Sequence, residues 1–159
     1  MPSGRLARLV ATPDFHHGLL GLVALWAIAA WTTTALAQQP SPTRTVWNGV
    51  YTSEQAKRGA PVYAESCGSC HGTSLEGGEM APPLAGGQFN SNWNGLSMGD
   101  LFERLRISMP QNSPGSLSRQ KYVDILAFML SVGGFPEGKA DLPPETENLK
   151  QISFDAVKP

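Results

Sequence analysis

Both cysteines of the 159-residue chain fall within five consecutive residues, Cys67-Gly68-Ser69-Cys70-His71, and no other histidine occurs after residue 17. That concentration constrains the fold more than any other feature. Two cysteines cannot build a disulfide scaffold for a chain of this length. A zinc knuckle needs about four Cys or His ligands, and beyond residue 17 only these three exist. A thioredoxin-like C-x-x-C requires a βαβ setting, and no alternating apolar–polar strand pattern accompanies this one. A disulfide between Cys67 and Cys70 would close a very small ring and stabilise little.

What remains is C-x-x-C-H as the attachment signature of a c-type haem. Two thiols spaced by two residues lie on one helical turn and can add to the two vinyl groups of the porphyrin. The imidazole of His71 then reaches the iron from one axial side. The rest of the sequence needs such a filler. With 17 Gly and 13 Pro, the chain is too rich in breakers for a helical bundle. A first helix is expected from Glu54 toward Cys67, capped by Thr52 or Ser53. Pro61 is expected to kink it or to start a fresh turn. Gly72 to Leu96 reads as ordered loop. Ser97 caps a short helix whose apolar residues are Leu101, Phe102 and Leu105, ended by Met109-Pro110, and residues 111–117 form another loop. Ser118 caps the most regular helix, Arg119 to Val132, which carries Tyr122, Ile125, Leu126 and Met129 on one face and stops at Gly133-Gly134. Leu149, Ile152 and Phe154 give the tail a means of packing back onto the body. Three short helices provide too little core for so long a chain. The fold class is therefore all-α, with short helices and long loops wrapped around one covalent haem.

The N-terminus carries a targeting pattern. Arg5 and Arg8 precede an uncharged, mostly apolar run from Gly18 to Trp31, and Ala35-Leu36-Ala37 has the small residues of a cleavage site. Residues 1–37 are read as a secretory signal peptide, placing the protein in the periplasm. The alternative is an uncleaved anchor, since Gly18 to Ala37 is just long enough to span a bilayer. His16 and His17 leave with the signal, so His71 is the sole histidine of the exported chain. The expected division is 1–37 signal, 38–52 lead, 53–135 haem domain and 136–159 tail. A formal net charge of -1 gives no electrostatic case for nucleic acid.

Over about residues 51–135 the sequence resembles the small monohaem class I cytochromes c. Gly59 and Tyr63 stand eight and four residues before Cys67. The family has there a glycine that admits a crossing C-terminal helix and an aromatic that fills the notch, with Phe128 matching the aromatic of the crossing helix. Pro82-Pro83-Leu84-Ala85-Gly86 resembles the family's proline loop, Pro83 lying twelve residues after His71. The resemblance implies a carbonyl in this loop that accepts the N–H of His71, fixing its tautomer. Trp93-Asn94-Gly95 and Pro114-Gly115-Ser116-Leu117-Ser118 resemble periplasmic cytochromes associated with quinoprotein and other dehydrogenases. Trp93, with Asn90, Asn92 or Asn94, is a candidate hydrogen-bond partner of a haem propionate. For the sixth iron ligand, bis-histidine coordination is excluded in the exported chain. The resemblance implies Met109, because Met-Pro is the family's ligand-loop motif. Met80 and Met98 remain open, and Met129 belongs to the apolar face of the last helix. Thioether ligation stabilises ferrous iron and raises the potential.

These features imply an electron carrier, not an enzyme, since a six-coordinate iron has no open position for substrate. The expected donor is a periplasmic dehydrogenase, and the expected acceptor a respiratory oxidase or another cytochrome. Two other readings stay open. One is the haem subunit of a multi-subunit dehydrogenase complex, with the tail as a docking arm. The other is a ligand-binding or sensor cytochrome with a labile sixth ligand. Membrane contact is expected only if the signal is retained. Lys57, Lys121, Lys139, Lys150 and Lys158 are scattered, so docking is expected through the apolar rim of the haem edge, with little dependence on salt.

Overall fold

Thr52 turns the chain into its first helix, α1 (Ser53–Ser66), by accepting the backbone N–H of Gln55 at 3.1 Å. The computed structural model describes residues 42–159. The expected signal peptide, its cleavage site and the alternative anchor lie outside the described residues. A short turn, α2 (Gly68–His71), follows at once. Next come α3 (Gly86–Trp93), α4 (Met98–Ser108), α5 (Arg119–Val132) and the single turn α6 (Thr146–Leu149). Two-residue strands β1 (Arg44–Thr45) and β2 (Ile152–Ser153) pair in parallel, Arg44 opposite Ile152. The protein is thus all-α apart from this small pairing, as expected. Among the described residues, no helix is long and apolar enough to cross a membrane.

The three caps anticipated from sequence are present. Ser97 and Asp100 form a reciprocal capping box at the start of α4, and Ser118 accepts the N–H of Lys121 at the start of α5. Two expectations fail. Pro61 does not start a fresh turn, because α1 runs unbroken through it. Lys57 and Pro61 both lie on its exposed face, so water can serve the carbonyl that Pro61 leaves without an N–H. The second failure is the segment Gly72 to Leu96, read as loop throughout, which contains α3. Its sequence, GGQFNSNW, has poor helix propensity. Tertiary contact overrides propensity there: Phe89 is buried, its ring 5.8 Å from Phe154 and 6.2 Å from Trp93.

The frame of the molecule is the pair α1 and α5. At Gly59 a Cβ would stand 1.9 Å from the carbonyl oxygen of Asp124, so any side chain would drive the helices apart. Tyr63 sits one turn further on, its ring centroid 5.3 Å from that of Phe128. The apolar face of α5 closes the core, with Tyr122, Ile125, Leu126, Met129 and Leu130 all buried.

Lead and tail are built into the same compact unit as the residues between them. Trp47 donates its indole N–H to the carbonyl of Asp155 at 2.8 Å and packs on Phe135 at 4.8 Å. Tyr51 donates its hydroxyl to the carbonyl of Phe135 at 2.7 Å. Gln55, fully buried on α1, clasps the tail twice: its amide donates to the carbonyl of Leu142 at 3.0 Å and its oxygen accepts the N–H of Leu142 at 2.7 Å. Leu142, Leu149, Ile152 and Phe154 are buried. The tail therefore packs back as expected from its apolar residues, and it is not a free docking arm.

Candidate haem site

Cys67 ends α1, and the next turn carries Cys70 and His71. The N–H groups of Cys70 and His71 both donate to the carbonyl of Cys67, at 3.1 and 3.0 Å, which fixes the turn that spaces the two thiols. The thiols are not bridged to each other. Cys70 is exposed and Cys67 half-buried, and burial, with Cys70 beside it, pushes the Cys67 thiol up to about 11. Neither sulfur is therefore committed to a disulfide.

His71 is buried, and its Nδ1 lies 2.8 Å from the carbonyl oxygen of Pro82. A carbonyl only accepts, so Nδ1 carries the proton and Nε2 keeps a lone pair for a metal. The partner is Pro82, one residue before Pro83, the residue singled out from sequence. Pro83 is half-buried in the same loop. Behind His71, the hydroxyl of Tyr63 donates to the carbonyl of Gly72 at 2.7 Å, and the carbonyl of His71 accepts the N–H of Gly77 at 2.8 Å. The loop between histidine and prolines is strained. Leu75 is fully buried with φ +62°, a left-handed conformation that costs a non-glycine residue about 1–2 kcal/mol. Its carbonyl accepts the N–H of Leu84 at 2.9 Å, closing the loop onto the residues after Pro83.

The four candidate methionines differ in setting. Met80 is 82% exposed. Met98 is enclosed in the core at the start of α4, and Met129 is buried on α5. Met109 ends α4, half-buried, its N–H donated to the carbonyl of Leu105 at 2.8 Å. Its carbonyl accepts the hydroxyl of Tyr122, on α5, at 2.7 Å. That tether was not anticipated. The signal for it was Tyr122 on an otherwise aliphatic face, a position where a buried hydroxyl must find an acceptor.

The donor set fits a haem: two free thiols and an imidazole of fixed tautomer stand within one turn. Leu84, Leu101, Leu126, Met129 and Leu130, with Asn90, line a narrow apolar crevice whose lining holds none of these donors. Asn90 Oδ1 is buried with no protein partner, an acceptor that needs a donor and that an ionised propionate does not satisfy. Of the other propionate candidates, Asn94 Oδ1 accepts the N–H of Ala156 at 2.8 Å, Asn92 is exposed and Trp93 is half-buried at the end of α3. Among the described residues no cluster of three His, Cys, Asp or Glu side chains could hold a metal ion without a macrocycle.

The family described as cytochrome c oxidase, cbb3-type, subunit III matches residues 54–129. Among solved structures, the chain is similar to the sulfane dehydrogenase SoxCD from Paracoccus pantotrophus, at 23% identity over 76% of this chain and 68% of that one, with a TM-score of 0.47. No curated protein matches it. The matched stretch spans α1, the C-x-x-C-H turn, the proline loop, α4 and nearly all of α5, the parts that build the site. With a single attachment motif in the sequence, the chain is a monohaem c-type cytochrome carrying one covalently bound haem c.

Proposed function

We propose that the protein is a periplasmic one-electron shuttle whose haem is joined to Cys67 and Cys70 and held axially by His71 and Met109. Electron transfer by haem c is what the family does; the ligand set, the compartment and the role as a free shuttle are this reading's own. When bound, the haem supplies a one-electron iron couple. Everything else is the work of the chain. Pro82 fixes the tautomer and direction of the imidazole. Tyr63 holds the backbone behind it. Met109 offers a soft sulfur that favours ferrous iron. Any hydrogen bond from Asn90 to a propionate would come from its amide N–H, the group able to donate.

The observation that carries this reading is the contrast among methionines. Met98 and Met129 are spent on the core and Met80 stands in solvent, while the backbone of Met109 alone is tethered to α5, by Tyr122. The leader supports export, which a haem attached outside the cytoplasm requires. The donor is a periplasmic dehydrogenase and the acceptor an oxidase or another cytochrome.

Met109→Ala tests the ligand set. We expect the oxidised variant to lose the sulfur-to-iron charge-transfer band and to show a lower potential, while keeping its haem. The same loss in Met80→Ala, with Met109→Ala unaffected, would overturn the assignment. Fractionation of expressing cells, with haem-staining of the processed chain, tests the compartment.

A further inference from the structure

Tyr122 occupies an unusual place in this site. Its ring is buried on α5, edge-on to Phe102 with centroids 6.3 Å apart. The guanidinium of Arg119 lies 4.6 Å over the Phe102 ring, and Arg119 is itself fixed by the carbonyl of Pro144 at 2.8 Å and the hydroxyl of Thr146 at 2.7 Å. The donor is thus rigid, and its hydroxyl reaches the carbonyl of Met109 at 2.7 Å. What it holds has no other hydrogen bond to α5. Met109 is tied by its N–H to Leu105, and the next residues bond only among themselves, Ser113 to Pro110 and Ser116 to Ser113. Residues 111–116 are all exposed. Among the described residues, the Tyr122 hydroxyl makes the one hydrogen bond joining segment 109–117 to an element other than α4.

We propose that Tyr122 is the positioning residue that sets how readily the Met109 sulfur leaves the iron. The inference rests on the Met109 ligation proposed above and goes beyond it. A ligand at the end of a helix, followed by a loop with no other hydrogen bond to the frame and anchored next only where Leu117 packs on the core, leaves when its backbone swings outward. The Tyr122 bond must break for that to happen. Its loss removes one part-buried neutral hydrogen bond from the ligated state and not from the dissociated one, a difference worth about tenfold in the population of the open site.

Stopped-flow mixing of the reduced holoprotein with carbon monoxide reads this directly, because uptake waits on departure of the methionine. Tyr122→Phe keeps the ring and its contact with Phe102, so it deletes the tether with little else. Tyr51→Phe is the matched control, since it deletes a buried hydroxyl bond of the same 2.7 Å length, to the carbonyl of Phe135, in the lead. We expect Tyr122→Phe to speed uptake about tenfold, with its oxidised charge-transfer band intact, and Tyr51→Phe to leave uptake unchanged. Unchanged uptake in Tyr122→Phe, or equal acceleration in both variants, would overturn the inference while leaving Met109 as ligand. A wild-type protein without the charge-transfer band would overturn the Met109 reading itself, and this inference with it.

Discussion

The two sides of the site are held in opposite ways. On the histidine side, the Cys67 to His71 turn is bonded to itself, its imidazole to Pro82, its following backbone to Tyr63, and the strained loop beyond it to Leu84. On the methionine side, an exposed loop follows Met109, and one tyrosine hydroxyl ties it to the helix frame. The lesson is that one of the two proposed iron ligands, His71, is part of the architecture, and the other, Met109, is presented to it. An electron carrier needs a fixed iron environment with little rearrangement between oxidation states. A protein of this design meets that need permanently on one side and conditionally on the other.

The largest expected effect comes from breaking the built-in side. In Cys67→Ala/Cys70→Ala, we expect no covalent haem at all, seen as loss of haem staining on a denaturing gel. Met109→Ala, by contrast, keeps the stain. Equal loss of stain in both variants would erase the distinction between the sides. Next comes the frame from which both sides hang. Gly59→Ala puts a methyl into the carbonyl of Asp124, and we expect about 3 kcal/mol of destabilisation in denaturant unfolding, with ligation by both axial residues weakened together. Smaller again is Gln55→Leu, which leaves both the N–H and the carbonyl of Leu142 without partners. We expect about 2 kcal/mol, with no change in the charge-transfer band, because the tail lies outside the contrast.

The smallest effect is a pH dependence. The Thr52 hydroxyl first, and then the Arg58 guanidinium, hold the Asp141 carboxyl below the usual carboxylate range. A folded-state pKa below the unfolded one stabilises the protein fully above the unfolded value, about 4. The contribution fades as pH falls through the folded value. Asp141→Asn is therefore expected to cost less than about 1 kcal/mol at pH 7, because the pair is exposed, and less again at pH 2. An equal effect at both pH values would remove the charge from the account.

Much of this contrast could be read from the chain in advance, and the exceptions have physical causes. The attachment turn is legible because it uses up every Cys and the last His. The helix pair is legible because Gly59, Tyr63 and Phe128 form one local contact pattern on α1 and α5. Caps at Thr52, Ser97 and Ser118 mark boundaries by their own chemistry. The helix α3 is not legible, because GGQFNSNW is helical only when Phe89 meets Phe154, 65 residues later in the chain. The tether on Met109 escaped for a similar reason. It joins a backbone carbonyl, which every residue has, to a hydroxyl whose partner only the folded chain selects. Pro61 shows the reverse case, a strong local breaker tolerated because it faces water.

The pairing of Arg44 with Ile152, and the bond from Trp47 to Asp155, have a consequence for the order of events during biogenesis. Trp47 and Asp155 stand 108 residues apart in the chain, whereas the residues that attach haem lie within a single turn. Closing so long a loop carries a large entropic cost until the elements between are in place. The attachment turn can form while the C-terminal residues are still unfolded. The lead and tail segments then fasten last, as a clasp over the elements between them. A protein assembled this way leaves its site accessible to an attachment machinery for as long as the clasp is open.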